Sequence, residues 1–381
     1  MKRKLNLAEG TNPMKITTVK IEDLSINYPF ELIADPKEII FVDIETTGFT
    51  ARSSKLYMIG CGYYEEGDWY VRQYFAETYS EEADIIKEFY SFLSCFKCII
   101  HFNGNKFDIP YLQQKSDLLH LECDFSNFEG VDIFKRISPL KKFLNLPNCK
   151  QKTLEVFTGI HRSDEFSGGE LISVYHSYVK EPSEDLLLLL FLHNADDIKG
   201  MLQLLPVLSY YDLFAFPLVP KKVQAGRCQH LDGSEGQELV MKFALHSPVP
   251  TPVSCLFEEV YVHVEDNYAL IKVPLYEEEM KYFYAAYKDY YYLPDEDVAL
   301  HKSVASFVDK AHRVQANAAN CYTKKYSLYL KQWGDFMLPV FKRSYEDDNL
   351  YFELTDDMKK DRDLFSLYAY HILSTIAKVQ R

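Results

Sequence analysis

The feature that most constrains the fold is a short apolar run, residues 39–42, that ends at Asp43. The run is rich in β-branched side chains and has no polar residue. Such a run is typical of a strand buried on both faces in the middle of a sheet. We therefore expect a central strand that brings an acidic side chain to its carboxyl end, in a sheet flanked by helices.

The segments that follow predict a mixed α/β order. Residues 57–64 and 69–75 have the pattern of two strands, with a hairpin turn at Gly67-Asp68. An amphipathic helix is predicted over 80–96, a buried strand over 98–102 and a second helix over 107–120. The region 131–208 is predicted to be mainly helical. Strands alternating with helices favour a mixed sheet covered by helices.

Three regions are predicted along the chain. Residues 1–38 form an N-terminal extension that adds a short strand or packs on the surface, and residues 39–209 form the α/β domain. The pattern weakens near residue 210, where we place a domain boundary. Residues 210–381 are predicted to form a second, α+β domain, with a hairpin over 258–273 and helices over 298–313 and 358–379.

Acidic residues occur at a strand end, at the start of a helix and on a later helix. Asp43 and Glu45 are two residues apart at a strand end, so they share a face. Asp108 opens a helix directly after the next buried strand. Asp197 follows His193 by four residues, which places both on one helical face. Mg²⁺ and Mn²⁺ prefer oxygen ligands, and phosphodiester hydrolysis uses two such ions about 4 Å apart.

Three segments resemble the exonuclease motifs of the DEDD (DnaQ-like) superfamily. They are Asp-Ile-Glu-Thr-Thr-Gly at 43–48, Phe-Asn-Gly-Asn-Lys-Phe-Asp-Ile-Pro-Tyr-Leu at 102–112 and His-Asn-Ala-Asp-Asp at 193–197. The second is most similar to the YprB-like group and to family B polymerase exonuclease domains. The resemblance covers roughly residues 38–208. It implies a ribonuclease-H-like fold, two divalent ions held by Asp43, Glu45, Asp108 and Asp197, and removal of nucleotides from a 3' end.

The third segment departs from the family pattern. The tyrosine subclass has Tyr four residues before the last Asp, and the histidine subclass has His five residues before it. This chain has His193 at the tyrosine spacing. Either His193 is the general base in a shifted pose, or the metal ions alone activate the water. Asp196 competes with Asp197 for the role of ligand, and we favour Asp197 because of its spacing from His193.

The resemblance also implies substrate contacts at Thr46, Phe49, Asn103 and Phe107. Apolar residues after the first motif stack on the terminal base in the family. The alternatives are that Phe49 and Phe107 belong to the core and that Asn103 only forms a turn. Asp132 resembles a recurrent family Asp, for which we expect a structural role.

Two further segments are candidates for nucleic-acid binding. Six basic residues and no acidic one lie between 134 and 152, which predicts either a phosphate-binding stripe or a solvated helix face. Seven tyrosines and two lysines lie within 276–292. They form either a platform on which the bases of a single strand stack, or element faces that pack on a core and leave the tyrosine edges in solvent.

Composition limits the remaining possibilities. The net charge of −14 argues against a protein that coats nucleic acid non-specifically. Eight scattered cysteines predict reduced thiols and a cytoplasmic location. The basic start lacks an apolar stretch, and no run reaches the ~20 residues of a membrane span, so we expect neither a secretory signal nor a membrane partner. No obligate protein partner is evident.

These observations predict a Mg²⁺- or Mn²⁺-dependent 3'→5' exonuclease that acts on single-stranded 3' ends of DNA or RNA. Two alternatives remain open. One is a structure-specific endonuclease on the same fold. The other is a catalytically silent nucleic-acid-binding module.

Overall fold

A computed structural model describes residues 14–160, 168–229 and 235–380. The basic start of the chain, on which the expectation about a secretory signal depends, lies outside these residues. The described residues divide into two compact units. The first comprises the chain up to Tyr211 together with Ser247–Thr251, and the second comprises Asp212–His246 and the chain from Pro252 onward.

A six-stranded mixed sheet forms the centre of the first unit, with the spatial order β1-β4-β3-β2-β5-β6. The pairs β1–β4, β4–β3 and β3–β2 are antiparallel, whereas β5 is parallel to both of its neighbours, β2 and β6. The strands are β1 (Lys15–Lys20), β2 (Ile39–Thr46), β3 (Leu56–Glu65), β4 (Asp68–Phe75), β5 (Cys98–His101) and β6 (Glu129–Asp132).

Helices follow the strands in the order that the sequence predicts. They are α1 (Glu82–Leu93), α2 (Asp108–Leu118), α3 (Ile133–Ile137), α4 (Gln151–Phe157), α5 (Gly168–Lys180), α6 (Glu184–Leu204) and α7 (Leu208–Ala215). The prediction of a ribonuclease-H-like mixed sheet with flanking helices is confirmed.

The strand β2 has a buried side chain at nearly every position because both faces of the sheet are covered. Ile40, Val42 and Ile44 belong to a core cluster that includes residues of α1 and α2. The alternate side chains point to the opposite face, which α6 covers. Asp43 and Glu45 therefore share the α6 face of the sheet.

The segment before β2 contributes an edge strand to the same sheet. Strand β1 pairs with β4, with Lys15 opposite Phe75. The hairpin between β3 and β4 turns through Glu66 and Gly67, both with positive φ (50° and 98°), because Glu65 pairs with Asp68. The turn therefore lies one residue earlier than predicted, and it requires a left-handed conformation that glycine adopts readily.

The second unit consists of antiparallel strands and two helices, which confirms the predicted α+β class. A seven-stranded sheet contains β7 (Val219–Gln229), β8 (Glu235–Ala244), β9 (Val253–Phe257), β10 (Val260–Glu265), β11 (Tyr268–Phe283), β15 (Tyr322–Gln332) and β16 (Leu350–Glu353). A three-stranded sheet contains β12 (Tyr290–Leu293), β13 (Val298–His301) and β14 (Val314–Gln315). The helices are α8 (Lys302–Ala305) and α9 (Arg362–Gln380).

Two expectations for the second unit are corrected. The helix predicted over 298–313 is wrong, because residues 298–301 pair with β12 and only the four-residue α8 is α-helical there. The tyrosines of 276–292 do not form an open platform. Most of their rings pack against two core clusters, and the Tyr276 and Tyr292 hydroxyls bond to Glu259 and Asp297.

All eight cysteines lie in described residues and are free thiols. Cys95 is exposed and Cys98 is buried. In the part of the chain that the structure describes, every helix is too short or too polar to cross a membrane.

Candidate active site

The first two predicted acidic positions meet at the carboxyl ends of parallel strands. The neighbouring strands β2 and β5 carry Asp43 and the loop that precedes α2. Asp108, the first residue of α2, is buried and accepts a hydrogen bond from the Ile44 backbone N–H at 3.2 Å. The carboxylate of Asp108 is thereby attached to the strand segment between Asp43 and Glu45.

Helix α6 adds the third group of side chains on one of its faces. The Nε2 atom of His193 lies 3.2 Å from Asp197 Oδ2 and 3.6 Å from Glu45 Oε1. The predicted adjacency of His193 and Asp197 is confirmed. Glu45, His193 and Asp197 each offer a ligand atom, and these atoms lie within 4.8 Å of one another. This cluster could hold a metal ion.

Asp196, the competing candidate, lies elsewhere on the helix. Lys199 Nζ lies 4.0 Å from Asp196 Oδ1. The geometry supports the choice of Asp197, because Asp197 Oδ2 lies 3.2 Å from His193 Nε2 and belongs to the cluster with Glu45.

A buried amide chain holds Asp43. Asn194 Nδ2 donates to Asp43 Oδ2 at 3.0 Å, and Gln73 Nε2 donates to Asn194 Oδ1 at 3.0 Å and to the Phe191 carbonyl at 2.9 Å. A Cβ atom on Gly60 would lie 2.0 Å from Asn194 Oδ1, so the glycine leaves the space that the amide occupies.

Tyr57 performs a similar task for Glu45. The Tyr57 hydroxyl donates to Glu45 Oε2 at 3.4 Å, and its ring stacks on Tyr175 with centroids 4.3 Å apart. Burial, followed by the charge of Glu45, raises the pKa of Tyr57 well above its usual value, so the hydroxyl remains a neutral donor.

The sequence analysis missed these supporting residues. Asn194 could have been suspected, because it directly follows His193 in α6. A residue next to the candidate general base can also face the strand that carries Asp43. Gln73 and Tyr57 lie in ordinary strand patterns without any local signal. Only the pairing of β4 with β3 and the packing of α6 on the sheet bring them to the site.

The electrostatics of the site favour a cation. Burial raises the pKa of Asp43 well above its usual value, and the negative charges of Asp197, Glu45 and Asp108 raise it further. Burial raises the pKa of Asp108 to about 7, although two backbone N–H groups oppose the shift. The charged neighbours that act on both groups are all carboxylates. Converging oxygen donors with unrelieved repulsion fit Mg²⁺ or Mn²⁺.

The predicted substrate residues border this cluster in the sequence. Phe49 is 92% exposed, so its interpretation as a core residue is wrong. Its ring meets Phe107 edge-on, with centroids 6.1 Å apart, and Phe107 is partly buried against the core. The Thr46 hydroxyl donates to the Gly48 carbonyl at 2.8 Å, which braces the loop that carries Phe49.

Asn103 lies in a tight turn held by Asp132. Its φ is 62°, and its backbone N–H donates to Asp132 Oδ1 at 3.0 Å. Asp132 also accepts from the backbone N–H groups of Asn105 and Lys135, the latter as the cap of α3. The expected structural role of Asp132 is confirmed. The backbone of Asn103 forms a turn, as one of the two interpretations of this residue predicted.

Residues 40–209 match the family model of the RNase_H superfamily. The match and the six-stranded mixed sheet both show a ribonuclease-H-like fold in this part of the chain.

Two solved proteins illustrate the similarity. The chain is 16% identical to the family B DNA polymerase of the hyperthermophilic archaeon Pyrobaculum calidifontis, with a TM-score of 0.37 over 46% of this chain and 25% of the polymerase. It is 14% identical to Escherichia coli exonuclease I in a complex with single-stranded DNA, with a TM-score of 0.28 over 54% of each chain. The chain thus spans about a quarter of the polymerase and about half of exonuclease I. No curated protein sequence matches the chain.

Proposed function

We propose that this protein is a metal-dependent 3'→5' exonuclease that hydrolyses single-stranded DNA or RNA. The observation that carries the proposal is the convergence of Asp43, Glu45, Asp108 and Asp197 beside His193. Four carboxylates gathered in a partly buried site repel one another. In a two-metal nuclease the bound ions would compensate this repulsion, so the arrangement fits that class of enzyme.

Asp43, Glu45, Asp108 and Asp197 are the residues that would hold two Mg²⁺ or Mn²⁺ ions. Such ions, when bound, supply an activated water and compensate the negative charge that develops on the scissile phosphate. The Asn194 amide and the Tyr57 hydroxyl orient two of the carboxylates. Support of this kind fixes ligand geometry in metal sites generally.

His193 is the proposed general base. Its Nε2 lies between two carboxylate oxygens, so those carboxylates would stabilise the imidazolium that forms when His193 accepts a proton from water. The same position allows Nε2 to act as an additional ligand, and removal of the imidazole is harmful in both roles.

The polarity of the reaction is proposed from the loop after β2. The exposed ring of Phe49, braced by Phe107, offers a face on which a terminal base can stack. Thr46 and Asn103 are proposed to contact the last nucleotide. An exposed aromatic ring that stacks on a terminal base would favour the end of a strand over an internal phosphate.

The test compares two substitutions in helix α2. Asp108→Asn removes one proposed ligand charge, whereas Asp117→Asn makes the same change at an exposed position of the same helix. With single-stranded oligonucleotides and Mn²⁺ or Mg²⁺, we expect Asp108→Asn to lower the rate at least about 100-fold. Asp117→Asn should retain the wild-type rate, and EDTA should abolish hydrolysis by both.

Equal activity of the two variants would show that Asp108 is not a metal ligand required for hydrolysis. Absence of hydrolysis by the wild-type protein with either metal, together with retained oligonucleotide binding, would instead support the silent-module alternative.

A further inference from the structure

A basic surface lies on the first unit next to the carboxylates. Residues 134–152 contain six basic and no acidic residues in a chain whose net charge is −14. Arg136 packs over the Tyr211 ring at 4.8 Å and is partly buried, so it belongs to the fold. The other five side chains are exposed: Lys135, Lys141, Lys142, Lys150 and Lys152.

A groove with an apolar floor lies within this lysine-rich segment of the chain, and Lys152 is part of its lining. Its volume is about 450 Å³, and it is lined by the turn at 145–147 and by one side of α4. Val156, on that side of α4, is 70% exposed, and the partly buried Phe157 follows it. An exposed apolar floor beside cationic side chains suits a ligand that has both a flat apolar part and negative charge.

Further lysines adjoin the lining of this groove in the chain. Lys152 lines it from α4, and Lys150 immediately precedes that helix. Lys141 and Lys142 begin the opposite turn, since their carbonyls accept hydrogen bonds from the N–H groups of Leu146 and Asn145 at 3.0 and 3.1 Å.

One hydrogen bond connects α4, which lines the groove, to the helix that carries Asp197. The first residue of α4, Gln151, donates from Nε2 to the Asp197 carbonyl at 3.1 Å. The same Nε2 donates to the buried Glu155 at 3.0 Å, which holds the start of α4 against α6. Lys150 and Lys152 flank Gln151 in the sequence, so they lie one residue from a contact with the backbone of Asp197.

We propose that this groove, lined by Lys152, Val156 and Phe157, and the adjoining exposed Lys141, Lys142 and Lys150 form a surface, the lysine groove, that binds the nucleotides preceding the 3' terminus of a single-stranded substrate. The lysines contact backbone phosphates, and Val156 and Phe157 contact an unpaired base. An unpaired base exposes the apolar face that this floor fits, whereas a duplex would offer only its phosphates. The inference rests on the proposed function, because the 3' end must lie at the carboxylates.

The first test measures binding by the full-length protein in EDTA, so that hydrolysis is not required. Fluorescence anisotropy compares Lys150→Glu/Lys152→Glu with Lys87→Glu/Lys180→Glu, which makes the same net charge change at exposed positions of α1 and α5. For a single-stranded oligonucleotide of ~20 nucleotides, we expect the groove variant to bind at least about 10-fold more weakly than the control. The slope of log affinity against log salt should become shallower by about 1.4, because each phosphate contact contributes about 0.7.

A second variant separates the base contact from charge. Val156→Asn removes apolar surface at a position that is already exposed, so the fold is retained. We expect it to weaken oligonucleotide binding about 3- to 10-fold with an unchanged salt slope. Equal weakening by the groove and control double variants would show that only net charge matters and would overturn the proposal. Polyglutamate competing as well as the oligonucleotide would also overturn it, in favour of an acidic peptide.

Failure of the groove proposal and failure of the proposed function have different signatures. If the groove binds upstream nucleotides, Lys150→Glu/Lys152→Glu should lose much more activity on long strands than on a dinucleotide, which has only one nucleotide before its 3' terminus. Equal loss on both lengths would overturn the groove assignment. A wild-type protein that binds long strands through the groove but hydrolyses none would contradict only the proposed function.

Discussion

Asp43 is a residue whose charge suits metal binding but destabilises the metal-free folded state. Its carboxyl is surrounded by three others, and one amide, that of Asn194, donates to it. Burial first, and then these neighbouring negative charges, disfavour the charged form in the folded state and raise the pKa of Asp43. A divalent ion would reverse this penalty.

Neutralising Asp43 should stabilise the metal-free protein. Asp43→Asn removes the repulsion and keeps an oxygen that can accept the Asn194 hydrogen bond. We expect its Tm in EDTA to rise by about 2–4 °C at neutral pH. The folded-state pKa lies above the unfolded value, so this gain is largest above the folded pKa and disappears below about pH 4, where both states of the wild type are protonated.

Thermal scans with and without Mn²⁺ check this expectation. Mn²⁺ should raise the Tm of the wild type much more than that of Asp43→Asn. A variant that is less stable than the wild type in EDTA would show that the carboxylates do not repel one another as the geometry requires.

The Asn194 amide should act through Asp43. Asn194→Ala leaves all four carboxylates and His193 in the chain, but it removes the donor that orients Asp43. Loss of such support typically costs 10- to 100-fold in metal affinity, so we expect Mn²⁺ binding measured by calorimetry to weaken by about that factor. Asn127→Ala, at an exposed position, is the matched control. Unchanged Mn²⁺ affinity in Asn194→Ala would show that the Asn194 amide does not orient Asp43 for metal binding.

At the scale of elements, the contact between β3 and α6 positions the site residues that α6 carries, His193 and Asp197. Two glycines of β3 permit the close approach. A Cβ on Gly62 would lie 2.8 Å from Ile198 Cγ2, and one on Gly60 would overlap the Asn194 amide. The helix therefore lies close enough for His193 and Asp197 to reach Glu45 on β2.

Adding one methyl group to β3 should disturb this contact. Gly60→Ala places a Cβ 2.0 Å from Asn194 Oδ1, and overpacking of this kind costs about 1–3 kcal/mol in the free energy of unfolding. Gly169→Ala, in α5, has no atom within 4 Å of the added Cβ and should be neutral or stabilising. Urea denaturation of both variants measures the difference, and equal stabilities would contradict the close packing of α6 on β3.

Elements with strong local patterns could be predicted from the sequence, whereas those defined by pairing could not. The apolar run of β2, the amphipathic α1 and the hairpin β3–β4 carry their signals within a few residues. The segment 298–313 does not, because its first four residues become a strand only through pairing with β12. The tyrosines of 276–292 similarly have a strand and aromatic pattern that does not reveal whether their rings face solvent or a core.

For the whole molecule, the candidate site belongs entirely to the first unit. The metal-ligand candidates could be predicted because each belongs to a recognisable motif: Asp43, Glu45 and Asp108 near element ends, and Asp197 within α6. The residues that hold them could not, since Gln73 and Tyr57 reach the site across the sheet from strands without a motif. The lysine-rich segment was recognisable as charge, but its position beside Asp197 depends on the Gln151 contact.

The most direct test of the central proposal compares a linear and a circular single strand of the same sequence. With Mn²⁺, the wild-type protein should shorten the 5'-labelled linear strand stepwise from its 3' end and leave the circle intact. The Asp108→Asn variant should leave both substrates intact. Cutting of the circle at a rate similar to that of the linear strand would contradict the exonuclease assignment and would favour an endonuclease on the same fold.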